Sequence, residues 1–336
     1  MLMRYAVKRL ASAVVVLVLM IVAMFILQSL SPADPARALA GDLASKEALE
    51  NAREQLGLDR PLPVRIGEYL IGLLHFDMQM SLRTRNPVAQ DIARTLPASV
   101  ELLVAAAVLA LVGGLIIGFL TITSGRFALL VRSSILASSA IPVFLSGLLF
   151  ILIFYGELGW LPGTGRISVD DAPTGPTRLL VVDSILHANW ASLGDAIAHL
   201  VAPAIVLAAA PSVAIGRAFG SALTTAMRAD YVRTARMKGL STPMVVLRHA
   251  LRNCMNSALS MTGLQFGVML GAIAIVEQIF AWPGIGAYLA ISIQSTDITA
   301  IIGVAVVLGA VFIFINSVID IVQTIADPRI ALGTTR

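Results

Sequence analysis

Glu101 is the one ionisable side chain between Pro97 and Thr121, and from Leu102 to Leu120 every residue is Leu, Val, Ile, Ala, Gly or Phe. No other feature constrains the fold as tightly. A helix at about 1.5 Å per residue over such a run exceeds the roughly 30 Å of hydrocarbon in a bilayer. Comparable runs occupy residues 10–30, 133–155, 197–218, 257–280 and 298–325, giving six in all. The expected fold is therefore an all-α integral membrane protein with six transmembrane helices. Composition agrees: 57% of the residues are hydrophobic and 13% charged, against about 45–50% and about 25% in soluble domains. The single cysteine, Cys254, excludes an internal disulfide or a cysteine-cluster metal site, and His75, His187, His199 and His249 have no ligand spacing. Gly113, Gly114 and Gly118 in the second run would let another helix approach closely.

Arg4, Lys8 and Arg9 precede the first run, and Ala38-Leu39-Ala40 resembles a signal-cleavage site. The apolar stretch is too long for a signal peptide and the triplet lies too far downstream, so this run reads as a retained span. Orientation follows from Lys and Arg in the short connections. The link between runs two and three holds Arg126 and Arg132 and no acid. The link between runs four and five holds Arg228, Arg233, Arg236, Lys238, Arg248 and Arg252 against Asp230 alone. The link between three and four is acidic (Glu157, Asp170, Asp171, Asp183, Asp195 against Arg166 and Arg178), and that between five and six has no Lys or Arg. Both termini are thus expected in the cytoplasm.

This topology puts a long extracytoplasmic segment, residues 31–96, after the first span. Within it, "SKEALENAREQLGL" reads as a short helix with Ser45 as N-cap, Glu47 in its first turn and Gly57 as its stop. "PLPVRIGEYLIGLLHF" reads as a second, more apolar helix entered through Pro61 and Pro63, suited to the outer membrane surface. Residues 1–30 form the tail and first span, 97–325 a core of five spans with a cytoplasmic segment at 223–256, and 326–336 a cytoplasmic tail.

The cytoplasmic segment contains an elbow, "ADYVRTARMKGLSTPMVVLRHALRN", residues 229–253. A short helix ends at Lys238, and Gly239 takes the left-handed turn that glycine adopts without strain. Ser241 or Thr242 then caps a second helix with Pro243 in its first turn. Ala235 and Gly239 are four apart and share a small face. A solvated basic loop, or a helix on anionic lipid, would carry the same charges. The stiffness of the turn and its small face favour insertion into a groove of a cytoplasmic protein.

These residues resemble the coupling-helix signature of permease subunits of bacterial ABC importers, in the dipeptide, oligopeptide and nickel branch. "MSLRTRNPVAQDIARTLPASVEL" at 80–102, "LGWLPGTGR" at 158–166, "EQIFAWPGIGAYL" at 277–289 and "DPRI" at 327–330 resemble the same branch, in order and at compatible topology. "HFDMQM" at 75–80, Thr296-Asp297 and Gln323-Thr324 depart from its usual forms. The resemblance implies a type I importer-like permease in the bacterial inner membrane that conducts a small solute, di- or oligopeptides first. It implies a homologous second permease, two ATP-binding subunits and an extracytoplasmic substrate-binding protein as partners, with lipid around the spans and no nucleic acid. Docking on an ATP-binding subunit would then fall to Asp230, Tyr231, Arg233, Thr234, Ala235, Lys238 and Gly239. ATP and Mg would belong to those partners, with no cofactor, metal or catalytic residue on this chain; it has no G-x-x-x-x-G-K-[ST] loop and no HExxH.

Ionisable residues within spans are costly and each needs a reason. Glu101 and Glu277 fall near the outer ends of their runs, and Asp320 lies one turn after Asn316. Glu277, Trp282 and Pro283 are candidates for the translocation path or outer gate. Hydration near the interface, a bond to a neighbouring helix, or simple interfacial anchoring by Trp282 would explain them equally. The 160–166 turn either meets a binding protein or closes its own loop. The middles of the six runs are nearly free of charge, which argues against a secondary transporter or channel.

Overall fold

In the computed structural model, residues 2–326 are described apart from 32–33, 42–43, 123–125, 127–128, 131–132, 134–140 and 171–172. The "DPRI" tail, Arg132 and Asp171 thus lie outside the described residues, as does much of the first half of the expected third span. Helices α1 (Leu2–Leu30), α2 (Pro35–Ala40), α3 (Lys46–Gln55), α4 (Leu62–Leu74) and α5 (Val88–Leu120) come first. They are followed by α6 (Val143–Phe150, continuing as a π-helix over Ile151–Glu157), α7 (Leu180–Leu186) and α8 (Trp190–Ala226). Next come α9 (Asp230–Met237), α10 (Thr242–Val245, continuing as a π-helix over Val246–Ala250), α11 (Leu251–Ile279), α12 (Ile285–Gln294) and α13 (Ile298–Ala326). Among the described residues there is no strand, only an isolated bridge between Met80 and Pro87. Five helices are long and apolar enough to cross a membrane: Ala11–Leu30, Val88–Leu120, Trp190–Ala226, Cys254–Ile279 and Ile298–Thr324. The third run is represented by the shorter apolar helix Val143–Glu157.

The helices outrun the apolar runs at their starts. α5 begins at Val88 and carries Pro97 inside it, and α8 begins at Trp190 and carries Pro203 and Pro211. Hydropathy marks the lipid-crossing portion of a helix and is silent about the polar turns that extend it.

The chain divides into two compact units. The first comprises Met1–Pro97 and Gly284–Ile313. Ile21 and Phe25 of α1 pack with Tyr69 of α4 and with Ile302 and Val306 of α13. Val88 and Ile92 of α5 pack with Ile285 and Tyr288 of α12 and with Ala300 and Val304 of α13. The apolar helix expected at 61–76 is α4. It turns Tyr69 inward and leaves Val64, Ile71 and Leu74 exposed. The Ser45 cap is present, its hydroxyl accepting from the Ala48 N–H at 3.2 Å. Gly57, at φ +62°, stops the helix: its N–H bonds the Glu54 carbonyl at 3.0 Å and the Leu58 N–H bonds the Arg53 carbonyl at 2.9 Å. Arg53 in turn pairs with Asp34 at 2.8 Å, which caps α2 through the Ala36 N–H. That guanidinium holds the Asp34 carboxyl below the usual carboxylate range.

The second unit comprises Ala98–Pro283 and Phe314–Arg336. α8 is its central helix, and the close approach foreseen for the α5 glycines is made here. A Cβ at Gly114 would stand 2.5 Å from Ile215 Cγ2, and one at Gly118 would stand 2.3 Å from Phe219 Cδ1. The complementary glycines on α8 are as crowded: a Cβ at Gly216 or Gly220 would lie 2.7 Å from Ile117 or Thr121. Small residues on both helices thus bring the backbones together, the packing available where lipid supplies no hydrophobic drive.

Candidate functional site

Two places gather the residues singled out above, one at each end of the spans of the second unit. The first is the elbow. Ala229 enters α9 in extended conformation and Asp230 occupies the first turn, where a carboxylate suits the positive end of the helix. At the other end Gly239 has φ +82°. Its N–H bonds the Arg236 carbonyl at 2.9 Å and the Leu240 N–H bonds the Ala235 carbonyl at 3.3 Å, the paired closure of a Schellman turn. A Cβ at Gly239 would meet nothing within 4 Å, so the backbone, not space, demands glycine.

The second arm differs from the expectation. Ser241 takes the N-cap position, but its side chain makes no capping bond. α10 is a single turn that passes through the Val246–Ala250 π-helix straight into α11, so this arm is the head of a spanning helix and not a free helix. Val232, Ala235 and Val245 are buried together, with Met227 and Leu240 packed against them. Ala235 therefore faces into the elbow, and the small face read from the sequence is half internal. Asp230, Tyr231, Arg233, Thr234, Arg236, Met237, Lys238 and Gly239 remain exposed. The i, i+3 spacing of Val232 and Ala235 was the signal for the inward side.

The second place is a buried polar lattice around Trp282. Glu277 is fully buried and accepts from the Ser99 hydroxyl at 2.5 Å. Trp282 is 1% exposed; its Nε1–H donates to the Ala98 carbonyl at 2.9 Å. Its backbone N–H bonds the Glu277 carbonyl at 2.8 Å, closing α11. Pro283 is exposed beside them. Arg166 stands 5.9 Å over the Trp282 ring and reaches Glu101 Oε2 through Nη2 at 2.6 Å and Nε at 3.1 Å. The Val181 N–H bonds the other oxygen, Oε1, at 2.7 Å, and the Gly165 N–H bonds the Phe280 carbonyl at 2.8 Å. Of the readings left open for Glu101 and Glu277, the structure shows bonding to neighbouring segments. Trp282 is packed inside the unit, not laid on a membrane interface. The 160–166 turn closes onto this lattice through Arg166. Sequence reading missed Ser99 and Arg166, which carry no spacing signal: their partners lie 178 and 65 residues away.

Elsewhere in that unit Asp195 accepts from the Ser168 and Val169 N–H groups at 2.5 and 3.3 Å, and Asp183 accepts from the Thr177 hydroxyl at 2.7 Å. Asp320 is half-buried in α13. Among the described residues no group of His, Cys, Asp and Glu gathers to hold a metal ion.

The first unit has its own anchored loop, residues 76–87. Asp297 caps α13 through the Ala300 N–H at 3.2 Å, and accepts from the Ser81 hydroxyl at 2.5 Å and the Arg83 N–H at 3.2 Å. Burial pushes its carboxyl up, but the Ser81 hydroxyl, the Leu82 and Arg83 N–H groups and Thr299 outweigh burial and hold it below the usual range. Asp91 receives the Thr84 hydroxyl at 2.5 Å and the Tyr288 hydroxyl at 3.2 Å. The "MSLRTRNPVAQD" stretch is thus a compact turn held by two carboxylates.

A family model described as the inner membrane component of binding-protein-dependent transport systems matches residues 110–332, and the N-terminal model of such membrane components matches residues 2–103. The chain is 39% identical over 312 residues to the probable D,D-dipeptide transport system permease protein DdpB of Escherichia coli K12, covering 92% of each. It is 34% identical to the dipeptide transport system permease protein DppB of Alkalihalophilus pseudofirmus, over 97% of this chain and 98% of the relative. It is 32% identical to the glutathione transport system permease protein GsiC of an Escherichia coli O6:H1 strain, over 98% of this chain and 99% of the relative. The chain belongs to the family of inner membrane components of binding-protein-dependent transport systems.

Proposed function

We propose that this chain is one of two transmembrane subunits of an ATP-driven peptide importer, and that residues 229–253 are its contact with an ATP-binding subunit. Family membership makes it a multi-pass transport subunit and not an enzyme. ATP and Mg act on the partner subunits. A homologous permease completes the membrane part, and a substrate-binding protein delivers cargo from outside. The peptide cargo is supported by the relatives, named for D,D-dipeptide, dipeptide and glutathione transport.

The elbow is the observation that carries the reading. It has its own apolar core, a fixed turn at Gly239 and a second arm continuous with α11. Such a piece transmits a push as a rigid body instead of bending. Its exposed Asp230, Tyr231, Arg233, Thr234 and Lys238 supply the contact, while Ala235 and Gly239 keep its shape. The excess of Lys and Arg in the same connection supports a cytoplasmic elbow and cytoplasmic termini, with residues 31–96 outside. Glu277, Trp282 and Pro283 then stand at the outer gate, where the buried lattice gives the path a firm rim. Nucleotide-driven closure of the ATPases moves the elbow, and ATP and cargo must bind the inward- and outward-open states with different affinity.

The test is uptake of a labelled dipeptide into proteoliposomes holding the four membrane-associated subunits, with binding protein outside and ATP within. Uptake that requires ATP and binding protein is expected. Active subunits that transport a non-peptide solute and no peptide would overturn the cargo assignment.

A further inference from the structure

Arg217 is the only Lys, Arg, Asp or Glu of α8 between Asp195 and Ala226. It lies about 13 Å along the helix from Ala226 at 1.5 Å per residue, and its side chain is exposed. Among the described residues it has no ion-pair partner. It opens into a cavity of about 590 Å³ lined by Ile117 and Thr121 of α5 and by Arg217, Ser221, Thr224 and Thr225 of α8. Gly216 and Gly220 seat α8 against Ile117 and Thr121 and so form the cavity wall.

The exposed face of α8 through this region is Ala210, Arg217, Ser221 and Thr225, with Ala214 half-buried in line. The exposed stripe of α5 is Val104, Val108, Val112 and Ile116. The second composition suits lipid. The first does not: a charge and hydroxyls inside a span belong on a water-filled space.

We propose that this face of α8 lines the cytoplasmic half of the translocation path, and that Arg217 binds the carboxylate of the peptide as it passes. The assignment rests on the peptide-importer reading. A guanidinium offers a fork of donors to a carboxylate. The site is shallow and single-charged, so it guides cargo without trapping it.

The test uses the chain in its whole complex, in inverted membrane vesicles, with Cys254→Ala removing the one native thiol and Ser221→Cys supplying a reporter. Positions four apart on a helix have Cβ atoms roughly 6 Å apart. A unit charge at that distance in water changes each reagent's rate about threefold in opposite directions. The anionic sulfonatoethyl methanethiosulfonate should therefore react about tenfold faster than the cationic trimethylammonioethyl reagent, after correction for their rates with a free thiol. Arg217→Gln should abolish that preference and Arg217→Lys should keep it. Millimolar alanyl-alanine should slow labelling, and its C-terminal amide should not. No labelling by either reagent, or equal protection by acid and amide, would overturn the proposal. Neither result depends on transport, so a failure here is distinct from a failure of the uptake test above.

Discussion

Glu101→Gln probes the buried lattice with least change of shape. Glu101 and Arg166 are 8% and 18% exposed and meet through two nitrogens at 2.6 and 3.1 Å, with the Val181 N–H on the second oxygen. Glutamine removes the charge and turns donors toward donors. Removing one partner of a buried pair costs about 3–5 kcal/mol, because the other charge is left behind. Some water reaches Arg166, which places the expectation near about 3 kcal/mol. Arg166→Met should cost a similar amount. The double variant leaves no orphaned charge and should be no worse than the poorer single, a coupling of about 2–3 kcal/mol. For a chain of this length about 1–2 °C of melting temperature accompanies each kcal/mol. Each single change should thus lower the melting point in detergent by roughly 3–6 °C. Tryptophan emission is a suitable readout, since Trp282 stands against Arg166. A double variant whose loss equals the sum of the singles, or a Glu101→Gln protein as stable as the wild type, would refute the reasoning.

Gly118→Ala should destabilise by about 1–3 kcal/mol through overpacking, since its Cβ would meet Phe219 at 2.3 Å and the Gly220 backbone nitrogen at 3.1 Å; an unchanged melting temperature would mean the helices are not that close. Gly239→Ala should cost about 1–2 kcal/mol from the left-handed backbone alone, and Gly239→Arg should abolish uptake while the protein still reaches the membrane; normal uptake at normal expression would count against docking. Because the Asp297 carboxyl is held below its unfolded value, its contribution is fully present above about pH 4. It is lost as pH falls through the lower folded value. A melting series from pH 6 to pH 3 should show a drop that Asp297→Asn flattens, and superimposable profiles would refute that role.

Five of the six spans, the Ser45 cap, the Gly57 and Gly239 stops and the close approach at Gly113–Gly118 were legible because each rests on a local rule: hydropathy over a helix length, a hydroxyl before a first turn, a glycine where φ is positive, a small residue where backbones meet. The lattice was not legible. Glu101 and Glu277 were noticed as expensive, but nothing local pairs Glu101 with Arg166 or Glu277 with Ser99. The inward turn of Ala235 was only partly legible, from its i, i+3 spacing with Val232. Periodicity put it on a small face, and only the packing of Val245 from the second arm makes that face internal. The lengths of α5 and α8 were underestimated because their polar ends follow no apolar rule. Arg217 escaped notice because a single cation near the end of a run looks like an interfacial anchor until its cavity is seen.

The central claim is that the elbow is held by an ATP-binding subunit. The direct measurement is purification of the tagged chain from its native membrane in mild detergent, wild type beside Arg233→Glu/Lys238→Glu, with the companions quantified by mass spectrometry. Both substitutions are on exposed side chains, so the elbow should keep its fold. The account predicts that the wild type brings down a second permease and ATP-binding subunits in fixed ratio, and that the charge-reversed chain keeps the permease and loses most of the ATP-binding subunits. Equal recovery of ATP-binding subunits with both chains would contradict it.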